Sequence, residues 1–132
     1  MKLFDGALPT LERALDARQA RQTALASDLA NADTPGFMPV DVDFEAAMRS
    51  ALDGGDVRRT DDRHLGDAGA AVGLLATESE ALAGAATPDG NRVEVDRVLG
   101  ELAANGMQYT AAARAAGKQL AMLRYVVTEG NG

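Results

Sequence analysis

Ten residues spaced alternately three and four apart constrain this chain more than anything else in it: Val95, Val98, Leu102, Asn105, Tyr109, Ala112, Ala116, Gln119, Leu123 and Val126. A 3-4 repeat sustained over more than four heptads keeps one seam of a helix turned toward one partner. It predicts a helix over about residues 96–127, with Asp96 as N-cap, some ~48 Å long at ~1.5 Å per residue. Two seam members, Asn105 and Gln119, are amides. The other faces do not read as water-facing. Within residues 102–123 only Arg114 and Lys118 are charged, and the outer positions hold Ala and Gly, including Gly106 and Gly117. Each Gly costs about 1 kcal/mol relative to Ala inside a helix. Such a helix is marginal alone, but small side chains let neighbouring backbones approach. The expectation is a helix surrounded by others, as in a tubular polymer. Ala-rich drift in composition is the plainer alternative.

A second stripe, Leu8, Leu11, Leu15, Leu25 and Leu29, with Arg18 and Gln22 at its polar centre, predicts a first helix over about residues 8–30. Pro9 suits its first turn, where a missing N–H costs nothing. Asn31, Ala32, Asp33, Thr34, Pro35, Gly36 and Phe37 then end it. Pro35 cannot continue a helix, and Pro35-Gly36 fits the central positions of a type II turn. The fold class that follows is mainly α. Long N- and C-terminal helices pair as an antiparallel coiled coil, with an irregular middle containing short extended pieces. The divisions are residues 1–37, 38–95 and 96–132.

In the middle, Val40, Val42 and Phe44 alternate with Asp41, Asp43 and Glu45, which predicts a short extended piece. Residues 45–52 suit a short helix. Residues 66–87 are rich in Gly and Ala, with weak periodicity. Thr87-Pro88-Asp89-Gly90-Asn91 is a turn signal, and Val93 and Val95 flank Glu94 in another extended piece. Residues 38–96 carry thirteen acids against five bases, whereas both ends are nearly neutral. A nucleic-acid binder would show a basic stripe instead. With three Phe, two Tyr and no Trp, a core must rely on Leu, Val and Ala. Burying Ala removes little area at roughly 25 cal/mol per Å², so the chain is expected to gain order from neighbours.

Chemistry finds little purchase. The chain has no Cys, which rules out disulfides and thiolate zinc sites. The one histidine, His64, lacks a nucleophile elbow and further metal ligands, so a surface role is expected. Asp41, Asp43 and Glu45 would share a strand face, but the calcium-loop pattern is missing, and they read as solvated carboxylates. Asp53, Asp56, Asp61 and Asp62 read the same way. Residues 66–73 look superficially like a phosphate loop but lack its Lys-Ser/Thr ending, and a linker fits better. An enzyme, a cofactor and a small-molecule substrate are therefore not expected. The N-terminus shows no signal-peptide pattern, and no apolar run approaches the ~18 residues of a membrane span. Export, if it occurs, would not use a cleavable secretory signal.

Residues 24–37, ALASDLANADTPGF, resemble the N-terminal signature of the rod and hook family of flagellar axial proteins, commonly S-N-I-A-N-A-x-T-P-G-Y/F. Asp28 stands where Asn is more usual, Leu29 where Ile is, and Phe37 where Tyr is frequent. The Asp41-Val-Asp-Phe run, the Thr60-Asp-Asp-Arg-His-Leu segment and the Asp89-Gly-Asn-Arg-Val-Glu-Val-Asp run resemble the proximal-rod branch of that family. Gln108-Tyr109 matches an aromatic position in its last helix. The resemblance covers both ends and two points in the middle; residues 66–87 match nothing.

The resemblance implies a structural subunit of the proximal rod, the drive shaft on the periplasmic side of the inner membrane that transmits torque for motility. It also implies delivery by the flagellar type III export apparatus. The partners implied are further copies of the chain, the rod subunit FlgC, FliE and the ring protein FliF. Polymerisation would run through the terminal helices. The assembly interface would then comprise Leu11, Leu15, Leu25 and Leu29, residues 31–37, and the seam residues Val98, Leu102, Asn105, Tyr109, Ala112, Ala116, Gln119 and Leu123. A small helical adaptor or export chaperone that does not polymerise would share the heptads, but gives no reason for the residue 31–37 turn.

Overall fold

Two long helices of opposite direction organise the chain. The computed structural model describes residues 7–52 and 76–129. In order these form α1 (Ala7–Ala30), β1 (Val40–Val42), α2 (Phe44–Leu52), β2 (Ala76–Glu78) and α3 (Val95–Glu129). The pairing of α1 with α3 is read from its cross-links. Leu25 packs with Val98 in the core, and Asn105 Nδ2 donates to Arg18 O at 2.9 Å and Gln22 Oε1 at 2.8 Å. Moving back along α1 is moving forward along α3, so the pair is antiparallel, as its two heptad stripes predict.

The core sits at the turn end of this pair. Leu25, Leu82 and Val98 are buried together, with Leu29, Val93 and Leu102 packed around them. Burying a side chain of this size contributes roughly 1.5–3 kcal/mol. Further along, the seam grows thinner because its members shrink to Ala112 and Ala116. By the same register Ala7 stands opposite the region of Ala116, and α3 continues to Glu129.

The second face of α1 is also covered. Ala17 and Asp28 are buried on it, beside α2 and β1. The Arg18 guanidinium lies 3.7 Å from the centroid of the Phe44 ring, a cation–π contact that seats α2 on α1. β1 and β2 pair antiparallel, with Val40 opposite Glu78, Asp41 opposite Thr77 and Val42 opposite Ala76. Ser79 N–H donates to Pro39 O at 2.8 Å beyond the last pair.

Several sequence expectations shift here. The extended run stops at Val42, because Asp43 Oδ1 accepts the Ala46 N–H at 2.9 Å and caps α2. Asp41 and Glu45 therefore do not share a strand face. Asp41 pairs with Arg21, and Glu45 pairs with Arg49 one turn along α2. The second long helix begins at Val95, with Glu94 O accepting the Val98 N–H at 3.0 Å. Asp96 thus lies inside the first turn rather than capping it, where a carboxylate still meets the positive end of the helix dipole. Within the aperiodic stretch 66–87, residues 76–78 form β2 and Leu82 enters the core. His64, Asp53, Asp56, Asp61, Asp62, the phosphate-loop lookalike at 66–73 and the whole Thr60-to-Leu65 match lie outside the described residues. Among the described residues no helix is long and apolar enough to cross a membrane.

Candidate assembly site

Two tight turns interlock where α1 ends and α3 begins. The first closes α1. Asn31 N–H donates to Ser27 O at 3.0 Å, and Thr34 N–H to Asn31 O at 2.9 Å. Phe37 N–H then reaches Thr34 O at 3.3 Å around Pro35 and Gly36. Gly36 has φ +70°, the left-handed value a type II turn demands at that position. The second turn spans residues 87–91. Gly90 N–H donates to Thr87 O at 2.8 Å, and Thr87 N–H to Asn91 O at 2.9 Å. Gly90, at φ +82°, makes the left-handed step that ends a three-residue hairpin loop. The Thr87 hydroxyl and the Asn91 N–H both donate to Asp89 Oδ1, holding that carboxyl below its usual range, the hydroxyl contributing most.

The turns are bonded to each other. Gly36 N–H donates to Asp89 O at 3.0 Å, and Arg92 N–H to Phe37 O at 3.1 Å. Asn91 is buried between them. Its Nδ2 donates to Asn31 O at 3.0 Å and Thr34 O at 2.6 Å, while its Oδ1 accepts the Val93 N–H at 2.8 Å. One amide side chain bonds three backbone groups across two chain segments, adding a second donor to the Asn31 and Thr34 carbonyls and supplying an acceptor for the Val93 N–H. The site thereby fixes the exit from α1 against the entry to α3 and sets the register of the helix pair.

A charged node braces the same end. Arg21 grips Asp41 with two nitrogens, at 2.7 and 2.8 Å, and reaches Glu101 at 3.1 Å. It ties α1 to β1 and α3 at once. The Asp41 hydrogen bonds, chiefly, hold the guanidinium pKa above its usual value. Nearby, the fully buried Asp28 accepts the Val40 N–H with both oxygens, at 3.0 and 3.1 Å. Burial pushes this carboxyl above its usual range; the Val40 N–H pulls it back, and the Asp41 carboxylate pushes it further up.

The residues expected at an interface divide into inward and outward sets. Leu25, Val98 and Asn105 are buried inside the subunit. Leu11, Leu15, Leu29, Leu102, Ala112, Ala116, Gln119 and Leu123 are half-buried along the helix pair, as are Asn31, Ala32 and Phe37 in the turn. Asp33, Thr34, Pro35, Gly36 and Tyr109 face outward. Sequence reading missed the binding roles of Arg21, Asp28, Asn91 and Glu101. Asn91 carried a signal, since it lies in the run that resembled the rod family. Arg21 and Glu101 carried none, because their partner Asp41 lies on a different element. Beyond the seam, α3 exposes Leu99, Met107, Leu120, Met122, Tyr125 and Val127.

Residues 8–37, which contain α1 and its closing turn, match the family described as flagella basal body rod protein. That match and the near-full-length relatives that follow place the chain among the rod proteins of the bacterial flagellum, structural components of the basal body. Across 144 aligned residues and 97% of both chains, the sequence is 32% identical to the flagellar basal body rod protein FlgB of Escherichia coli (strain K12). It is 28% identical to FlgB of Bacillus subtilis (strain 168) over 98% of this chain and 99% of that one. It is 34% identical to FlgB of Aeromonas hydrophila over 80% of both. The chain belongs to the FlgB family of flagellar basal body rod proteins.

Proposed function

We propose that this rod subunit polymerises through the outer faces of its α1–α3 pair to build the proximal segment of the flagellar drive shaft. The observation that carries the reading is the exposed apolar surface of α3. Met107 is 71% exposed, Val127 65% and Leu120 56%, on a helix that ordinary solvation would line with charge. A second feature supports it. A Cβ built on Gly100, Gly106 or Gly117 meets nothing within 4 Å, so packing among the described residues does not account for these costly helix glycines. Close approach by a neighbouring helix does.

In this reading the seam residues act indirectly, by holding the pair rigid, while Asp33, Thr34, Pro35, Gly36 and Tyr109 meet adjacent subunits. Heterologous contacts that do not close into a ring generate a helical tube. Torque passes through such a tube because packed interiors resist compression. FlgC, FliE and the ring protein FliF are the neighbours at the membrane-proximal end, on the periplasmic side of the inner membrane. The type III export apparatus delivers the chain.

The test is complementation of a deletion strain with Met107→Glu and Leu120→Glu. Both positions are solvent-facing in the subunit, so the purified variants keep wild-type circular dichroism and melting. The cells do not swim, and isolated basal bodies lack the rod. Normal swimming with both variants overturns the reading and favours a non-polymerising adaptor.

A further inference from the structure

The seam amide Asn105 is followed in the chain by Gly106. Asn105 is fully buried between α1 and α3. Its Nδ2 donates to Arg18 O and Gln22 Oε1, while its Oδ1 has no hydrogen-bond partner among the described residues. Gly106 lies inside α3, and a Cβ built on it meets nothing within 4 Å. With no side chain, residue 106 presents an unhindered backbone nitrogen next to a side-chain amide. That pairing is stable only while the backbone holds the two groups apart.

We infer that Asn105 is a deamidation site, exposed in the unfolded chain and protected by the folded helix pair. When the chain is unfolded, the Gly106 nitrogen attacks Asn105 Cγ. A new N–Cγ bond forms, the Cγ–Nδ2 bond breaks, and Nδ2 leaves as ammonia with the Gly106 N–H proton. Water then opens the cyclic imide at either carbonyl, giving aspartate or isoaspartate. The step needs water alone, with no oxidant and no cofactor. Folding blocks it in three ways. The helical backbone turns the Gly106 nitrogen away from Cγ and holds its N–H in the ladder of α3. The bonds to Arg18 O and Gln22 Oε1 pin the amide. Burial keeps out the water that would open the ring.

Either product spoils the seam. Aspartate sets a carboxylate against the Arg18 carbonyl oxygen in a fully buried site, where a charge without a partner is expensive. The Gln22 amide can turn to donate to it, but the carbonyl cannot. Isoaspartate routes the main chain through the former side chain, which adds a carbon to the backbone in mid-helix and breaks the ladder. Time spent unfolded is thereby converted into irreversible loss of chains able to pair α1 with α3.

The test compares the purified full chain held in mildly alkaline buffer at physiological temperature, with and without denaturing urea. Trypsin releases residues 98–114, bounded by Arg97 and Arg114, as one peptide whose sole asparagine is Asn105. Mass spectrometry follows the conversion of amide to acid and separates aspartate from isoaspartate. Conversion at Asn105 is expected to be faster in urea by more than an order of magnitude. The converted fraction should match the fraction that fails to regain wild-type melting after the urea is diluted. Gly106→Ala supplies the second arm, since its methyl crowds the attacking nitrogen yet fits the fold. That variant should convert far more slowly in urea, keep its refolding yield, and melt at least as high as wild type, because Ala is the better helix former. Equal conversion with and without urea overturns the inference, and so does a converted chain that refolds with wild-type melting.

Discussion

Gly90 rests on Gly36. A Cβ built on Gly90 would lie 3.5 Å from the Gly36 Cα and 3.7 Å from its nitrogen. Both glycines hold left-handed backbone, at φ +82° and +70°. Two turns 54 positions apart in sequence, as the numbering of the pair gives directly, thus meet backbone to backbone at the end of the helix pair. Any side chain at either position must adopt a conformation that costs an L-residue roughly 1–2 kcal/mol.

Gly36→Ala is expected to destabilise the folded chain by about 1–2 kcal/mol, from backbone strain alone, because nothing lies within 4 Å of its added methyl. Gly90→Ala carries the same strain and adds only ordinary van der Waals contact with Gly36. Thermal melts should show similar losses for the two single variants. A Gly90→Ala loss several times larger would mean that the turns are closer packed than the 3.5 Å separation describes.

Asn91→Ala removes the one side chain that bonds both turns, leaving the carbonyls of Asn31 and Thr34 and the N–H of Val93 without it. The two carbonyls still accept from the Thr34 and Phe37 N–H groups, so the cost falls mainly on the Val93 N–H, about 1–3 kcal/mol for a buried group left unsatisfied. The variant should lose several degrees or more in melting temperature, and amide exchange should quicken first at Val93. Asn91→Asp keeps the acceptor but sets a buried carboxylate oxygen against the Asn31 and Thr34 carbonyls, so at neutral pH it should melt no higher than Asn91→Ala. Equal melting of all three would remove Asn91 from the lock.

The interlock shows what the sequence could carry. Each turn was legible by itself, because Pro35-Gly36 and Pro88-Asp89-Gly90 dictate their backbone locally. The two helices were legible because 3-4 spacing is a one-dimensional signal. Their meeting was not, since no periodicity links Asn91 to Asn31. Leu82 was hidden for a related reason: no other large aliphatic residue stands between Leu75 and Val93, so it is buried by the helices on either side and not by a pattern of its own. Arg21 falls off the Leu stripe, so the 3-4 spacing assigns it no partner, although it bonds Asp41 of β1 and Glu101 of α3. Asp28 was noticed only as a departure from the family signature, and its burial explains why the exchange matters.

Asp28 gives a pH signature. Its folded-state pKa lies above the unfolded value near 3.8. Between those two values the folded chain holds more protons than the unfolded one, so stability falls as pH rises through the folded pKa. The favourable contribution is complete below the unfolded value and lost at neutral pH. Asp28→Asn keeps an oxygen for the Val40 N–H and removes the buried charge. It should melt higher than wild type at neutral pH. The gap should narrow on acidification toward the unfolded carboxylate value. A gap that stays constant across that window would show that Asp28 does not titrate differently in the folded state.

Leu102 and Leu120 separate folding from assembly. Leu102 packs on the Leu25–Leu82–Val98 cluster, whereas Leu120 is 56% exposed. Leu102→Asp places a carboxylate beside the core and should cost about 3 kcal/mol or more, because a charge without a partner is expensive to bury. Its loss of swimming would therefore report loss of fold. Leu120→Glu should leave the melting temperature within about 0.5 kcal/mol of wild type, as surface changes do, yet still stop swimming. The diagnostic quantity is the difference between the two variants in melting, set against their agreement in motility. If Leu120→Glu melts as low as Leu102→Asp, the far end of α3 is already packed inside the subunit, and its apolar residues belong to the fold and not to a neighbour.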